Sequence, residues 1–190
     1  MTDLKDIKAF AFDVDGIFTD GSVLALPNGD LLRTFNAKDS FSIRTAVING
    51  FPVAIITGGC SESIISRFNS LSIPSADIYQ MSKNKLPDLE HFCSRHGLEL
   101  KDVLFAGDDV PDVEALKAAG VGICPRDACI ECREAADIVS ERRGGKWFVR
   151  DIVEKTLRSQ GKWIFNPEQP WGFSYKDEVN AAQFKTGRYV

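Results

Sequence analysis

The chain has 190 residues, of which 44% are hydrophobic and 26% charged, with a formal net charge of -4 at pH 7. These values are typical of a single globular domain with one substantial core. The acidic balance excludes a basic nucleic-acid-binding stripe, and no run reaches the roughly 18 apolar residues of a membrane span. The polar first six residues do not resemble a signal peptide, so we expect a cytoplasmic enzyme or binding domain without nucleic-acid or membrane partners.

Short apolar runs alternate with helical patterns along the first two thirds of the chain. Runs rich in Val, Ile, Phe and Ala predict buried strands at 7–12, 52–56, 103–106 and 121–124, with a shorter run at 77–79. Helices are predicted at about 40–49, 61–71, 86–96 and 110–119. This alternation predicts right-handed βαβ crossovers and a doubly wound, Rossmann-like α/β parallel sheet.

Two segments depart from this alternation. Residues 22–26 and 30–35 flank Pro27-Asn28-Gly29, which predicts a β-hairpin over about 22–35, inserted after the first strand. After Arg158 the periodicity ends, although residues 160–190 hold two of the three Trp residues. We interpret 1–158 as one domain and 159–190 as an irregular tail that docks through its aromatic residues.

The five cysteines are an odd number and are scattered, as expected for reduced thiols. Cys124, Cys129 and Cys132 have the spacing of plant-type iron–sulfur ligands, but that site needs a fourth cysteine downstream and none follows. We interpret these three residues as ordinary buried or half-buried cysteines.

Polar residues follow the predicted strands directly, and in an open α/β sheet such residues converge on one crevice. They are Asp13-Val14-Asp15-Gly16, Thr57-Gly58-Gly59, Lys83 and Lys85, and Gly107-Asp108-Asp109 with Asp112. Clustered carboxylates repel one another unless a hard cation neutralises them, and Mg²⁺ takes oxygen ligands and pairs with phosphate. The set therefore predicts a Mg²⁺ site, although each Asp taken singly could instead cap a helix or a turn.

These residues carry a family resemblance. The segments 13–21, Thr57-Gly58, a following Lys and 107–112 resemble, in order, the four motifs of the haloacid dehalogenase superfamily, over residues 7–153. The hairpin, Phe35-Asn36-Ala37-Lys38-Asp39 and Arg143-Gly144-Gly145 resemble the uncapped subfamily of 3-deoxy-D-manno-octulosonate 8-phosphate and nonulosonate 9-phosphate phosphatases. The resemblance implies a Mg²⁺-dependent phosphomonoester hydrolase, with lipopolysaccharide biosynthesis as the setting of the octulosonate enzymes.

The resemblance also implies roles for particular residues. Asp13 is the nucleophile, and Asp15 is the proton donor and acceptor. Asp13, the main-chain carbonyl of Asp15, and Asp108 ligate the metal, while Asp109 and Asp112 support them. Thr57, Gly58 and Lys85 bind phosphate, and Lys85 is preferred to Lys83 because it directly precedes Leu86.

The resemblance also implies residues that contact the sugar. Asn36, Lys38, Asp39, Arg44 and Arg67 occupy positions that resemble those of sugar-contacting residues, although Arg67 also fits a solvated helix position. Gly59 stands where the octulosonate phosphatases usually have Arg, which removes one expected partner of the sugar carboxylate and keeps the nonulosonate alternative open.

Two further hypotheses belong to other classes. A signalling receiver domain also combines Asp, Thr, Lys and Mg²⁺, but its motif order differs, and Asp15 supplies the acid/base group that turnover needs. A non-catalytic regulatory domain is disfavoured because all motif carboxylates are present. The short hairpin cannot form a lid, and the resemblance implies a homotetramer in which a neighbouring chain completes each active site.

Overall fold

A computed structural model describes residues 3–163, and these residues form a six-stranded parallel sheet and a separate hairpin. The strands, in chain order, are β1 (Ala9–Phe12), β2 (Leu24–Ala25), β3 (Leu31–Leu32), β4 (Val53–Ile56), β5 (Ile78–Tyr79), β6 (Val103–Ala106), β7 (Val121–Cys124) and β8 (Ile138–Val139). The helices are α1 (Ala37–Ile48), α2 (Glu62–Asn69), α3 (Lys85–His96), α4 (Val113–Ala118), α5 (Ile130–Ala135) and α6 (Phe148–Ser159).

The strand order of the sheet is β5-β4-β1-β6-β7-β8, and every pairing in it is parallel. The chain builds outward from β1 to β5 and then returns to the other side of β1 through α3. The order therefore reverses at β1, and the carboxyl ends of β1, β4 and β6 border the crevice where ligands bind in such sheets.

The core lies on both faces of the sheet, because alternate residues of each strand point to opposite faces. Phe10 and Phe12 belong to a cluster with residues of α1, α2 and α6, whereas Ala9 and Ala11 pack with residues of α3, α4 and α5. Burying one Phe side chain contributes about 1.5–3 kcal/mol. Bulky residues on one face and small ones on the other thus set the three-layer α/β/α arrangement.

The predicted fold is confirmed. The runs at 103–106 and 121–124 coincide with β6 and β7, and the hairpin pairs Leu24 with Leu32 and Ala25 with Leu31. Elements β8, α5 and α6 were absent from the predictions. Helix α6 buries Phe148, Val149, Ile152, Val153, Thr156 and Leu157, a helical pattern that the sequence contains but that the prediction did not use.

Aromatic contacts fix the two segments that flank the hairpin. Phe18 follows β1 and packs edge-on against Phe12 and Phe68, with ring centroids 5.4 and 4.9 Å apart. Phe35 follows β3 and meets the same Phe68 ring at 5.8 Å. The base of the hairpin is therefore anchored to α2, beside the carboxyl ends of β1 and β4. Within the described residues, no helix has the length and apolar character needed to cross a membrane.

Candidate active site

The loop after β1 places Asp13 at the floor of a pocket of about 380 Å³. The amide of Asp13 donates to the carbonyl of Ala106 at 2.9 Å, which continues the ladder between β1 and β6. Its Oδ1 accepts the amide of Val14 at 2.6 Å, and its Oδ2 lies 3.0 Å from Lys85 Nζ. One carboxylate oxygen is thus held by the backbone and the other faces an ammonium group.

The loop after β6 carries the other acidic residues and is organised by Asp112. This side chain is 1% exposed, and its Oδ2 accepts the amides of Asp108 and Asp109 at 2.8 and 3.2 Å. Its Oδ1 accepts Lys85 Nζ at 2.7 Å. Because both oxygens of Asp112 already have donors, this residue orients the loop and the lysine, while Asp108 keeps its carboxylate for the pocket.

Gly16 allows the two acidic loops to meet. Its φ is +77°, in the region that favours glycine, and an added Cβ would lie 1.9 Å from Asp108 Oδ2. Any side chain at this position would displace the Asp108 carboxylate. The glycine after Asp15 is therefore required by the close approach of Asp108.

The carboxylates of Asp13, Asp108 and Asp112, the acidic cluster, repel one another strongly. Carboxylate oxygens of Asp13, Asp108 and Asp112 all lie within 4.8 Å of one another. Burial raises the pKa of Asp108 to about 8, and the neighbouring charges of Asp13 and Asp112 add to this effect. Burial and Asp112 likewise raise the pKa of Asp13, against the opposing effect of Lys85. An all-oxygen donor set with excess negative charge fits a hard divalent cation such as Mg²⁺.

We expect the stabilisation by Mg²⁺ to increase with pH. The pKa of Asp108 rises from its ordinary 3.8 to about 8 in the folded protein. Without metal, protonated Asp108 stabilises the folded protein. This contribution is fully present below the pKa of the unfolded state and is lost as the pH rises through about 8. Because Mg²⁺ binds the ionised carboxylates, the Tm gain in saturating Mg²⁺ should be larger at about pH 8.5 than at about pH 6.

Thermal unfolding with and without Mg²⁺ at the two pH values measures this effect. In Asp108→Asn, the Tm gain should shrink at both pH values, because a ligand oxygen and its charge are lost. An equal Tm gain at both pH values in the wild-type protein would contradict the expectation.

The phosphate-binding candidates line the same pocket. Thr57 follows β4, and its amide donates to the carbonyl of Tyr79 at 2.8 Å, while Gly58 lies beside it on the pocket wall. Lys85 begins α3 and is 2% exposed, between Asp13 and Asp112. Two carboxylates raise the pKa of Lys85 although burial works to lower it. Lys83 is exposed, so the structure places Lys85 rather than Lys83 in the pocket.

None of the predicted sugar-contacting residues is among the described residues that line this pocket. Asn36 caps α1, accepting the amide of Lys38 at 2.9 Å, and donates to the carbonyl of Gly145 at 3.4 Å. Lys38 Nζ lies 3.8 Å from the centre of the Trp147 ring. Arg44 and Arg67 lie on the α1 and α2 side, where they donate to Ser72 and Ser40 respectively.

Asp39 lies at the contact between α1 and α6. Its side chain is buried, and Oδ1 accepts the amide of Arg150 at 2.8 Å, which ties α1 to the first turn of α6. Its Oδ2 has no hydrogen-bond partner among the described residues. Burial raises the pKa of Asp39 to about 6, although the amides of Arg150 and Trp147 oppose the shift. Only Oδ1 is engaged between the two helices, and the sugar contact of this buried residue stays a prediction.

Sequence reasoning missed Arg33. It lies just after β3 and forms a bidentate pair with Asp15, Nε to Oδ1 at 2.7 Å and Nη2 to Oδ2 at 2.9 Å. This pairing raises the pKa of the Arg33 guanidinium further, and partial burial opposes the shift. The sequence signal was a basic residue directly after the apolar pair Leu31-Leu32, and nothing in that pattern indicates a partner 18 positions away.

The comparisons with known proteins agree with the geometry. A sequence profile of the haloacid dehalogenase-like hydrolases matches residues 42–143. The 3-deoxy-D-manno-octulosonate 8-phosphate phosphatase KdsC of Salmonella typhi is 32% identical over 162 residues, 85% of each chain. The corresponding protein of Escherichia coli K12 is 31% identical, over 83% of each chain.

Solved structures give the same picture. A crystal structure of 3-deoxy-D-manno-octulosonate 8-phosphate phosphatase from Moraxella catarrhalis, in complex with magnesium, phosphate and KDO, matches with a TM-score of 0.80 and 30% identity, covering 97% of this chain and 95% of that one. The cobalt-bound phosphatase of Haemophilus influenzae matches with a TM-score of 0.83 and 27% identity, covering 89% of this chain and 95% of that one.

Proposed function

Since the chain belongs to the haloacid dehalogenase-like hydrolase family, we propose that it is a Mg²⁺-dependent phosphatase that hydrolyses 3-deoxy-D-manno-octulosonate 8-phosphate to the free sugar acid and phosphate. The observation that carries the proposal is the meeting of Asp13, Asp15 and Asp108 with Lys85 at the carboxyl edge of the sheet. The named relatives favour the octulosonate over a nonulosonate substrate and over a signalling role. We place the reaction in the cytoplasm and in lipopolysaccharide biosynthesis.

Asp13 is proposed as the nucleophile. Its carboxylate attacks phosphorus, a P–O bond forms to Asp13, and the P–O bond to the sugar breaks. Val14 and Lys85 hold the two carboxylate oxygens from different sides, which limits rotation of the side chain. The nucleophile is thus oriented before the substrate arrives.

Asp15 is proposed as the proton-transfer group. It gives a proton to the departing sugar oxygen and then takes one from the water that hydrolyses the phosphoaspartate, so the enzyme returns to its starting state. The side chain of Asp15 is 32% exposed and lines the same pocket as Asp13. This placement allows a single carboxyl group to serve both half-reactions.

Thr57, Gly58 and Lys85 are proposed to hold the phosphoryl oxygens, through a hydroxyl, an amide and an ammonium group. Asp13, Asp108 and the main-chain carbonyl of Asp15 would hold Mg²⁺, which would supply positive charge to the transferring phosphoryl group. Asp112 keeps Lys85 and the Asp108 amide in place, and Asp109 lies at the pocket rim. These contacts preorganise the site for a dianionic ester.

The substrate proposal predicts selectivity for an acidic ulosonate. With saturating Mg²⁺, kcat/KM for the octulosonate 8-phosphate should exceed that for glucose 6-phosphate by at least about tenfold, because the neutral sugar lacks the carboxylate. Phosphate release across a panel that includes a nonulosonate 9-phosphate measures this ratio. Equal values for octulosonate and glucose esters would reduce the assignment to a general phosphatase, and a higher value for the nonulosonate would reassign the substrate.

We also propose a homotetramer, on the support of the hairpin surface. Leu24 is 62% exposed and Leu31 and Leu32 are 41% and 46% exposed, so two short strands present an uncovered apolar face. Light scattering at assay concentration should give four times the chain mass, and a fully active monomer would contradict this assembly. Trp163 packs against Phe41 and Arg150 of its own chain, whereas the predicted docking of Phe165, Trp171 and Phe173 lies outside the described residues.

A further inference from the structure

Arg33 is built into the site more firmly than a surface arginine. Its side chain is 3% exposed although the preceding strand β3 is exposed on both residues. Nε and Nη2 hold the two oxygens of Asp15, and Nη1 donates to the carbonyl of Leu31 at 3.3 Å. A planar fork that uses two donors fixes the plane of a carboxylate as well as its distance.

Gly59 lies beside the Arg33 guanidinium. A Cβ built at Gly59 would lie 2.9 Å from Arg33 Nη2, so the guanidinium, at the end of a flexible side chain, would have to shift. The backbone of Gly59 does not have a positive φ, so its conformation alone does not require glycine. The absence of a side chain at this position therefore leaves room for the guanidinium beside Asp15.

The two hydrogen bonds from Arg33 leave acceptor positions of the Asp15 carboxylate available for proton transfer. A carboxylate offers about four acceptor positions, and Arg33 uses one on each oxygen. The other acceptor positions of Asp15 remain free, and its side chain lines the pocket together with Asp13. Arg33 is not among the residues that line this pocket, so Asp15 can carry the proton at an acceptor position that faces the pocket.

We propose that Arg33 is a positioning residue for proton transfer: its fork, accommodated by Gly59, orients Asp15 toward the leaving-group oxygen. This inference rests on the proposed function of Asp15. Loss of the fork should therefore slow esters whose leaving group needs a proton, and should spare esters whose leaving group departs unprotonated.

The test compares two esters in saturating Mg²⁺. For Arg33→Gln, kcat/KM for the octulosonate 8-phosphate, an alkyl ester, should fall at least about tenfold more than kcat/KM for 4-nitrophenyl phosphate, whose leaving group is stable as an anion. Arg33→Lys keeps the charge but cannot form the fork, so it should show the same selective loss. Gly59→Ala, which crowds Nη2, should show the pattern more weakly, and it guards against a folding failure of the Arg33 variants. The exposed, ion-paired Arg158 provides the matched control Arg158→Gln, which should leave both esters unaffected.

Each other outcome overturns the proposal. Equal losses on both esters would assign Arg33 to general structure or phosphate binding, full rescue by Arg33→Lys would show that charge alone matters, and faster alkyl-ester turnover would make the fork inhibitory. If the wild-type enzyme hydrolyses another alkyl phosphate but not the octulosonate ester, the substrate assignment fails, and the same comparison made with that ester still decides the role of Arg33.

Discussion

Asp13→Asn is expected to lower kcat by more than about a hundredfold while the protein remains folded. The Asn side chain has nearly the shape of the Asp carboxylate, so the backbone N–H of Val14 keeps its acceptor. A side-chain amide is nevertheless a poor nucleophile and a weaker metal ligand. Removing one of three crowded carboxylates also relieves repulsion, so Tm should not fall. Steady-state phosphate release and thermal unfolding measure the two effects.

A matched control lies in the same loop. Asp20 is 51% exposed on its side chain and accepts the amide of Ser22 at 3.1 Å, away from the acidic cluster. Asp20→Asn should retain activity within about threefold, because it makes the same chemical change outside the pocket. If Asp13→Asn retained more than about a hundredth of the wild-type kcat, Asp13 could not be the nucleophile.

Asp15→Asn is expected to reduce kcat for the sugar phosphate by about 10²–10⁴-fold, the usual contribution of a positioned acid or base. Mg²⁺ affinity should change little, because the proposed ligand from this residue is its main-chain carbonyl, which the substitution retains. Calorimetric titration of Mg²⁺ separates the two effects when it is combined with the rate assay.

Asp108→Asn is the control for this division of roles. It removes a carboxylate whose pKa is raised by burial and by Asp13, so it should weaken Mg²⁺ binding together with activity. If Asp15→Asn lost Mg²⁺ affinity to the same extent as Asp108→Asn, the proposed separation of metal binding from proton transfer would be wrong.

The sheet could be predicted because its signals are local. Apolar runs such as 103–106 and 121–124 appear in the sequence as buried strands, and the alternation of strands and helices indicates parallel pairing. Strand β8 contains only Ile138 and Val139 and was not predicted, although the equally short β5 was. Helix α6 was missed although its apolar period is present, since it follows the last motif that the prediction used.

The site could be predicted only in part. The rule that ligands bind at the carboxyl ends of parallel strands brings Asp13, Thr57 and Asp108 to one edge before any coordinate is known. The same rule does not state which oxygens are free. The structure shows that Asp112 uses both oxygens on Lys85 and on backbone amides, and that Asp39 is buried between α1 and α6.

The sequence by itself determined the order of the strands in the chain, the hairpin insert and the acidic residues at the strand ends, because these depend on residue type and on spacing over a few positions. Only the tertiary structure decided that Lys85 lies between Asp13 and Asp112 and that Arg33 holds Asp15 beside Gly59. The reason is physical: each of these contacts joins residues from different elements. It therefore depends on the packing of long side chains once the sheet has formed.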